Sequence, residues 1–134
     1  MDRRHFLFAS AAATTVATLG GRVQAAEGAS LPSKNIVFTQ DNAGIWEAKK
    51  GSHVPMIEAA EGKIKVTTNH GHSEEHYIVR HTLVLDDGTV VGATTFSPQD
   101  KPVSEYELPA GYRGKIYATS ICNKHDLWLA AASV

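Results

Sequence analysis

Cys122 and His125 stand three residues apart in Ile121-Cys122-Asn123-Lys124-His125-Asp126-Leu127-Trp128, and Cys122 is the only cysteine in the chain. Upstream, His53 lies in Ser52-His53-Val54-Pro55, and three more histidines fall in His70-Gly71-His72-Ser73-Glu74-Glu75-His76. Five imidazoles and one thiolate form a nitrogen-rich, partly soft donor set. Such a set suits iron, copper or zinc and is wrong for calcium or magnesium. The competing reading makes Cys122 a buried apolar thiol and the histidines surface polar residues. The grouping of the donors favours a transition-metal site.

Spacing dictates what must carry these groups. Along a strand, His70 and His76 would share a face but stand about 20 Å apart, too far for one ion. On a helix they would point to different sides. Both reach one ion only if the segment bends back as a loop, which Asn69, Gly71 and Ser73 permit. Cys122 and His125, three apart, fit the same side of a single tight turn.

The rest of the chain reads as short strands: Ile36 to Thr39, Val54 to Glu58, Lys63 to Thr68, His76 to Leu85, Val90 to Phe96, Val103 to Leu108, Lys115 to Ile121 and Leu127 to Ala131. Glu61-Gly62 and Asp86-Asp87-Gly88 supply the positive φ that tight hairpin loops need. No stretch has the pattern of a long amphipathic helix. Seven or eight strands at this spacing predict an all-β fold, a β-sandwich, with register open because Ile78, Leu83 and Leu85 do not alternate cleanly. At 134 residues and 43% hydrophobic, the chain has the material for one domain with a core. A net charge of -1 with scattered Lys and Arg argues against a nucleic-acid partner. A lone cysteine excludes an internal disulfide and any second centre built from several cysteines.

The first residues read as an export signal. Arg3-Arg4-His5-Phe6-Leu7 precedes an apolar Ala- and Thr-rich run to Leu19, and Val23-Gln24-Ala25 has the small residues of a cleavage site. The run is shorter than a membrane span requires, so no stable anchor is expected after cleavage. The expected organisation is a twin-arginine signal over residues 1–25, a flexible leader over 26–35, and a β-sandwich domain over 36–134. The mature protein would be periplasmic. Losing Asp2, Arg3, Arg4 and Arg22 takes the formal charge from -1 to -3, mildly acidic.

Three motifs in order, His53-Val54-Pro55, then His70 and His76 with Glu75-His76-Tyr77-Ile78, then Cys122-Asn123-Lys124-His125-Asp126-Leu127-Trp128, resemble the superoxide reductases of the desulfoferrodoxin and neelaredoxin group. The resemblance implies an Ig-like β-sandwich with one mononuclear non-haem iron, Fe2+/Fe3+. It implies His53, His70, His76 and His125 as equatorial ligands, Cys122 as the axial thiolate, and an open sixth position. It further implies one-electron reduction of superoxide to hydrogen peroxide, with an external electron-donor protein because the chain has no second centre. A homo-oligomer is compatible with it.

The chain departs from that pattern in places. Family members commonly carry Glu-Lys before the first ligand histidine, the lysine drawing in superoxide; here the positions are Gly51-Ser52. Lys50 and Lys124, or Lys49, are the candidate substitutes. His72 stands in a Pro-Met position, open between an outer hydrogen-bond donor, a proton carrier and a solvated residue. Asp126 stands where glycine is usual. Glu75 is expected to orient a ligand imidazole or cap the loop, His81 to be structural or exposed, and Tyr77 and Trp128 to be core aromatics. The alternatives to the enzyme are a cupredoxin-like copper carrier, for which Met56 is the sole mature methionine, and a metal-binding module without turnover.

Overall fold

The computed structural model describes residues 35–134. The expected signal over 1–25, and all but the last residue of the expected leader, lie outside the described residues. Among the described residues eight strands follow one another: β1 (Val37–Phe38), β2 (Met56–Ala60), β3 (Lys63–Thr67), β4 (Ile78–Leu85), β5 (Val90–Thr95), β6 (Val103–Glu107), β7 (Lys115–Cys122) and β8 (Asp126–Ser133). Five make one sheet in the order β1-β8-β7-β4-β5, and three make the other in the order β2-β3-β6. Pairing is antiparallel except for β1 on β8.

Two-residue alternation sets the faces. Ile64 and Val66 of β3 point inward between exposed Lys63 and Lys65, and Ser104 and Tyr106 of β6 do the same between Val103, Glu105 and Glu107. Opposite them lie Leu83 and Leu85 of β4 with Ile116 and Ala118 of β7, closing one apolar core between the sheets. Glu61 and Gly62 take φ of 52° and 77°, so the β2–β3 hairpin closes through a tight two-residue loop.

On β4 both Ile78 and His81 face inward, which strict alternation forbids. The ladder with β7 shifts register between Ile78 and Arg80, and that irregularity changes the parity. It explains why Ile78 is out of step with Leu83 and Leu85.

One element was not anticipated. A 3-10 helix over Gly44–Lys49 runs into a short α-helix, α1, over Lys50–His53. The strand expected from Val54 therefore begins only at Met56, after Val54 donates its N–H to the Lys50 carbonyl as the helical cap. The segment is too short for a helical hydrophobic period to stand out, and Gly51 and Ser52 are poor helix formers. Tertiary contact holds it. Phe38, Ala43 and Trp128 form a second apolar cluster, with Trp46 and Val54 packed against it. Among the described residues no helix is long and apolar enough to cross a membrane.

Candidate metal centre

Three pieces of backbone meet at one end of the five-stranded sheet: α1, the irregular segment between β3 and β4, and the turn between β7 and β8. His53 ends α1 and is buried, its ring against Trp128 at 5.6 Å between centroids. The Lys49 carbonyl lies 3.1 Å from His53 Nδ1 and the Ser52 hydroxyl 2.8 Å, which turns Nε2 toward the other imidazoles. Ser52 thus helps to orient this ring.

The segment from His70 to His76 is a loop, as spacing required. Ser73 and His76 exchange backbone N–H···O bonds across it. Asn123 ties the loop to the β7–β8 turn: its Oδ1 accepts the Tyr77 N–H at 3.0 Å and its Nδ2 donates to the Glu75 carbonyl at 2.9 Å. Glu75 takes part through its backbone, and its side chain is exposed. The turn itself is clamped from two sides. Trp128 Nε1 donates to the His125 carbonyl at 2.7 Å, and Trp46 Nε1 donates to the Asp126 carboxylate at 2.9 Å while its ring meets His125 edge-on. Asp126 holds φ of 66°, a conformation an aspartate tolerates better than most non-glycine residues. Its carboxylate provides an anchor for Trp46.

The four imidazoles form a closed ring of neighbours. Centroid separations run 4.7 Å for His53–His70, 4.5 Å for His70–His76, 4.7 Å for His76–His125 and 4.8 Å for His125–His53. Their inward nitrogens approach as closely: His70 Nε2 to His76 Nε2 is 3.1 Å, His76 Nε2 to His125 Nδ1 is 3.0 Å, and His125 Nδ1 to His53 Nε2 is 3.1 Å. Cys122 Sγ lies 4.0 Å from His70 Nε2 and 3.7 Å from His125 Nδ1, the two opposite corners. His53, His70, His76 and Cys122 each offer a ligand atom within 4.8 Å of the others.

These distances fit a transition metal. Nitrogens about 2.1 Å from a common centre and at right angles stand about 3.0 Å apart. Neutral imidazoles are also required, since a protonated ring has no lone pair to give. Burial, then the neighbouring His70, pushes His53 down to about 4. Burial, then His76 and His72, does the same to His70. His76 is lowered by burial, then by His125, Lys124 and Lys49, and His125 by burial, then by Lys49 and Lys124.

The remaining candidates separate. Lys49 and Lys124 act electrostatically on the rings of His76 and His125, whereas Lys50 is ion-paired with Glu47. His72 is half-buried rather than solvated, and its Nε2 accepts the Ile78 N–H at 3.1 Å. Trp128 is fully buried, and half-buried Tyr77 packs edge-on to His72. His81 is fully buried, with Ser104 Oγ 2.8 Å from Nδ1 and Thr68 Oγ1 2.8 Å from Nε2. Sequence reading missed Trp46 and Asn123, whose types carry no ligand signal and whose roles exist only through contacts 80 and 46 residues away.

Residues 43–131 match the family model for desulfoferrodoxin. A superoxide reductase of Pyrococcus abyssi is 34% identical over 103 residues, covering 64% of this chain and 88% of that protein. One from Thermococcus kodakarensis is 35% identical over 103 residues, with the same coverage of 64% and 88%. The solved structure of a point variant of the superoxide reductase (neelaredoxin) from Ignicoccus hospitalis superposes with a TM-score of 0.70 at 26% identity, over 79% of this chain and 98% of that one. The matched span contains all three backbone pieces that bring imidazoles and thiol together, and the chain belongs to the desulfoferrodoxin family of non-haem iron proteins.

Proposed function

We propose that this chain is a superoxide reductase of the one-iron type, reducing superoxide to hydrogen peroxide with one electron from an external donor protein and two protons. The observation that carries the reading is the closed ring of four imidazoles with the Cys122 sulfur near two opposite corners. His53, His70, His76, His125 and Cys122 would hold the iron. When bound there, iron supplies the one-electron redox chemistry, and a thiolate ligand donates electron density that favours passing the electron to an oxygen species.

The chain's own residues do the rest. Lys49 and Lys124 set positive charge beside His76 and His125, where it attracts an anionic substrate; this gives them the part usually taken by the absent Glu-Lys lysine. Lys50, with its charge matched by Glu47, contributes less. Trp46, Asn123 and Trp128 hold the ligand-bearing backbone so that the donors need little rearrangement. A copper carrier would want a methionine as weak ligand, and Met56 is 50% exposed on β2.

Metal analysis should find one iron per chain. A superoxide flux with excess electron donor should yield one peroxide per superoxide, against half that for dismutation. Replacing Cys122 by Ser should keep the fold and abolish the reduction; undiminished turnover would remove the thiolate from the mechanism. The compartment is proposed from Arg3-Arg4-His5-Phe6-Leu7 and the apolar run after it, which support twin-arginine export to the periplasm. Lysine at positions 3 and 4 should then leave the protein in the cytoplasm, and unaltered export would refute the pathway.

A further inference from the structure

We propose that His72 is a positioning residue for the metal centre: its Nε2 accepts the Ile78 backbone N–H and so closes the loop that brings His70 against His76. The inference rests on reading this cluster as a metal site. Ile78 opens β4, is fully buried, and pairs with Cys122 across the ladder just before the register shift toward Arg80. Its N–H is turned to His72 Nε2, 3.1 Å away. A buried N–H left without an acceptor is destabilising, so this bond holds the start of β4 in its irregular course.

The bond is one of two successive rungs across the loop. His72 reaches Ile78, and Ser73 bonds His76 through N–H···O contacts of 2.9 and 3.2 Å. His70 lies two residues before the first rung and His76 closes the second, so the rungs set the separation of the two rings. The His72 ring is also wedged in place, with centroids 5.9 Å from His70, 5.9 Å from Tyr77 and 6.4 Å from the buried Phe96. A nitrogen whose lone pair accepts a backbone N–H is not offering it to a metal. His72 therefore acts on the centre through the backbone, while the loop's other two histidines present their Nε2 atoms to it.

The test uses two variants and two readouts. His72→Phe keeps a ring against Phe96 and Tyr77 but has no acceptor, whereas His72→Gln retains an oxygen that can take the Ile78 N–H. Amide exchange at Ile78 is followed by NMR in the metal-free protein, and iron(II) affinity is measured by chelator competition. H72F should expose Ile78 to faster exchange and weaken iron binding on the order of 10- to 100-fold, and H72Q should restore both. Wild-type exchange and affinity in H72F would overturn the proposal. So would an H72Q chain that protects Ile78 yet loses iron, because His72 would then be a ligand. If H72F does not fold, H72Q decides alone: wild-type behaviour in both readouts supports the role, and weak iron binding with Ile78 protected refutes it. A wild-type chain that holds iron but forms no peroxide would sink the superoxide reading and leave this one standing.

Discussion

Acid should loosen this protein from beneath its metal site, through His81. The ring sits wholly buried between the sheets, bonded to Thr68 and Ser104, with Phe96 edge-on at 4.9 Å. Burial, then the charge of His72, pushes its pKa from 6.5 down to about 4. The unfolded chain therefore binds the proton more readily than the folded one, so this group's effect is silent above the unfolded value and grows as pH falls toward the folded one. Each unit costs about 1.4 kcal/mol, so a fall to pH 5 removes about 2 kcal/mol, saturating near about 3 kcal/mol below pH 4.

Thr68 also bonds Ser120 at 2.8 Å, and these two hydroxyls lie two residues before His70 and Cys122. Strain at His81 thus reaches two donor-bearing segments directly. The assay is urea unfolding of the metal-free protein at pH 7 and pH 5, for wild type and for His81→Gln, which keeps hydrogen-bonding capacity but cannot charge. His53 and His70 titrate in both chains and cancel in the comparison. Wild type should lose about 2 kcal/mol more than the variant between the two pH values. Parallel losses would refute the reasoning, and an NMR titration placing the native His81 pKa near 6.5 would say why.

Replacing Lys49 and Lys124 together by Ala should lower the second-order rate with superoxide on the order of 3- to 10-fold and flatten its dependence on ionic strength, while Lys50→Ala changes little; pulse-radiolysis kinetics over a salt series checks this. Gly92→Ala should destabilise the fold by about 1–3 kcal/mol in thermal or urea unfolding, because a Cβ there would stand 2.7 Å from the Tyr106 ring. Trp46→Phe should retain the apolar contact but lose the bond to Asp126, weakening iron retention several-fold with little loss of global stability, as read by chelator competition and unfolding in parallel.

The residues themselves determined the donor types and the metal class they suit, the loop between His70 and His76, the division into short strands and the tight turn at Glu61-Gly62. Each follows from local chemistry: ligand softness, the reach of a few peptide units, alternation along a strand, and the φ that a turn demands. Tertiary structure alone decided the short helix that carries His53, since its register depends on the cluster of Phe38, Ala43 and Trp128 beside it. It alone decided the parity change at Ile78, which local alternation contradicts, and the burial of His72 and His81, whose partners come from other strands and loops. It also separated Lys50 from Lys49 and Lys124. A charge's effect depends on distance to other charges: Lys50 meets Glu47 three residues back in the chain, whereas the nearness of Lys49 and Lys124 to the rings of both His76 and His125 exists only in the fold.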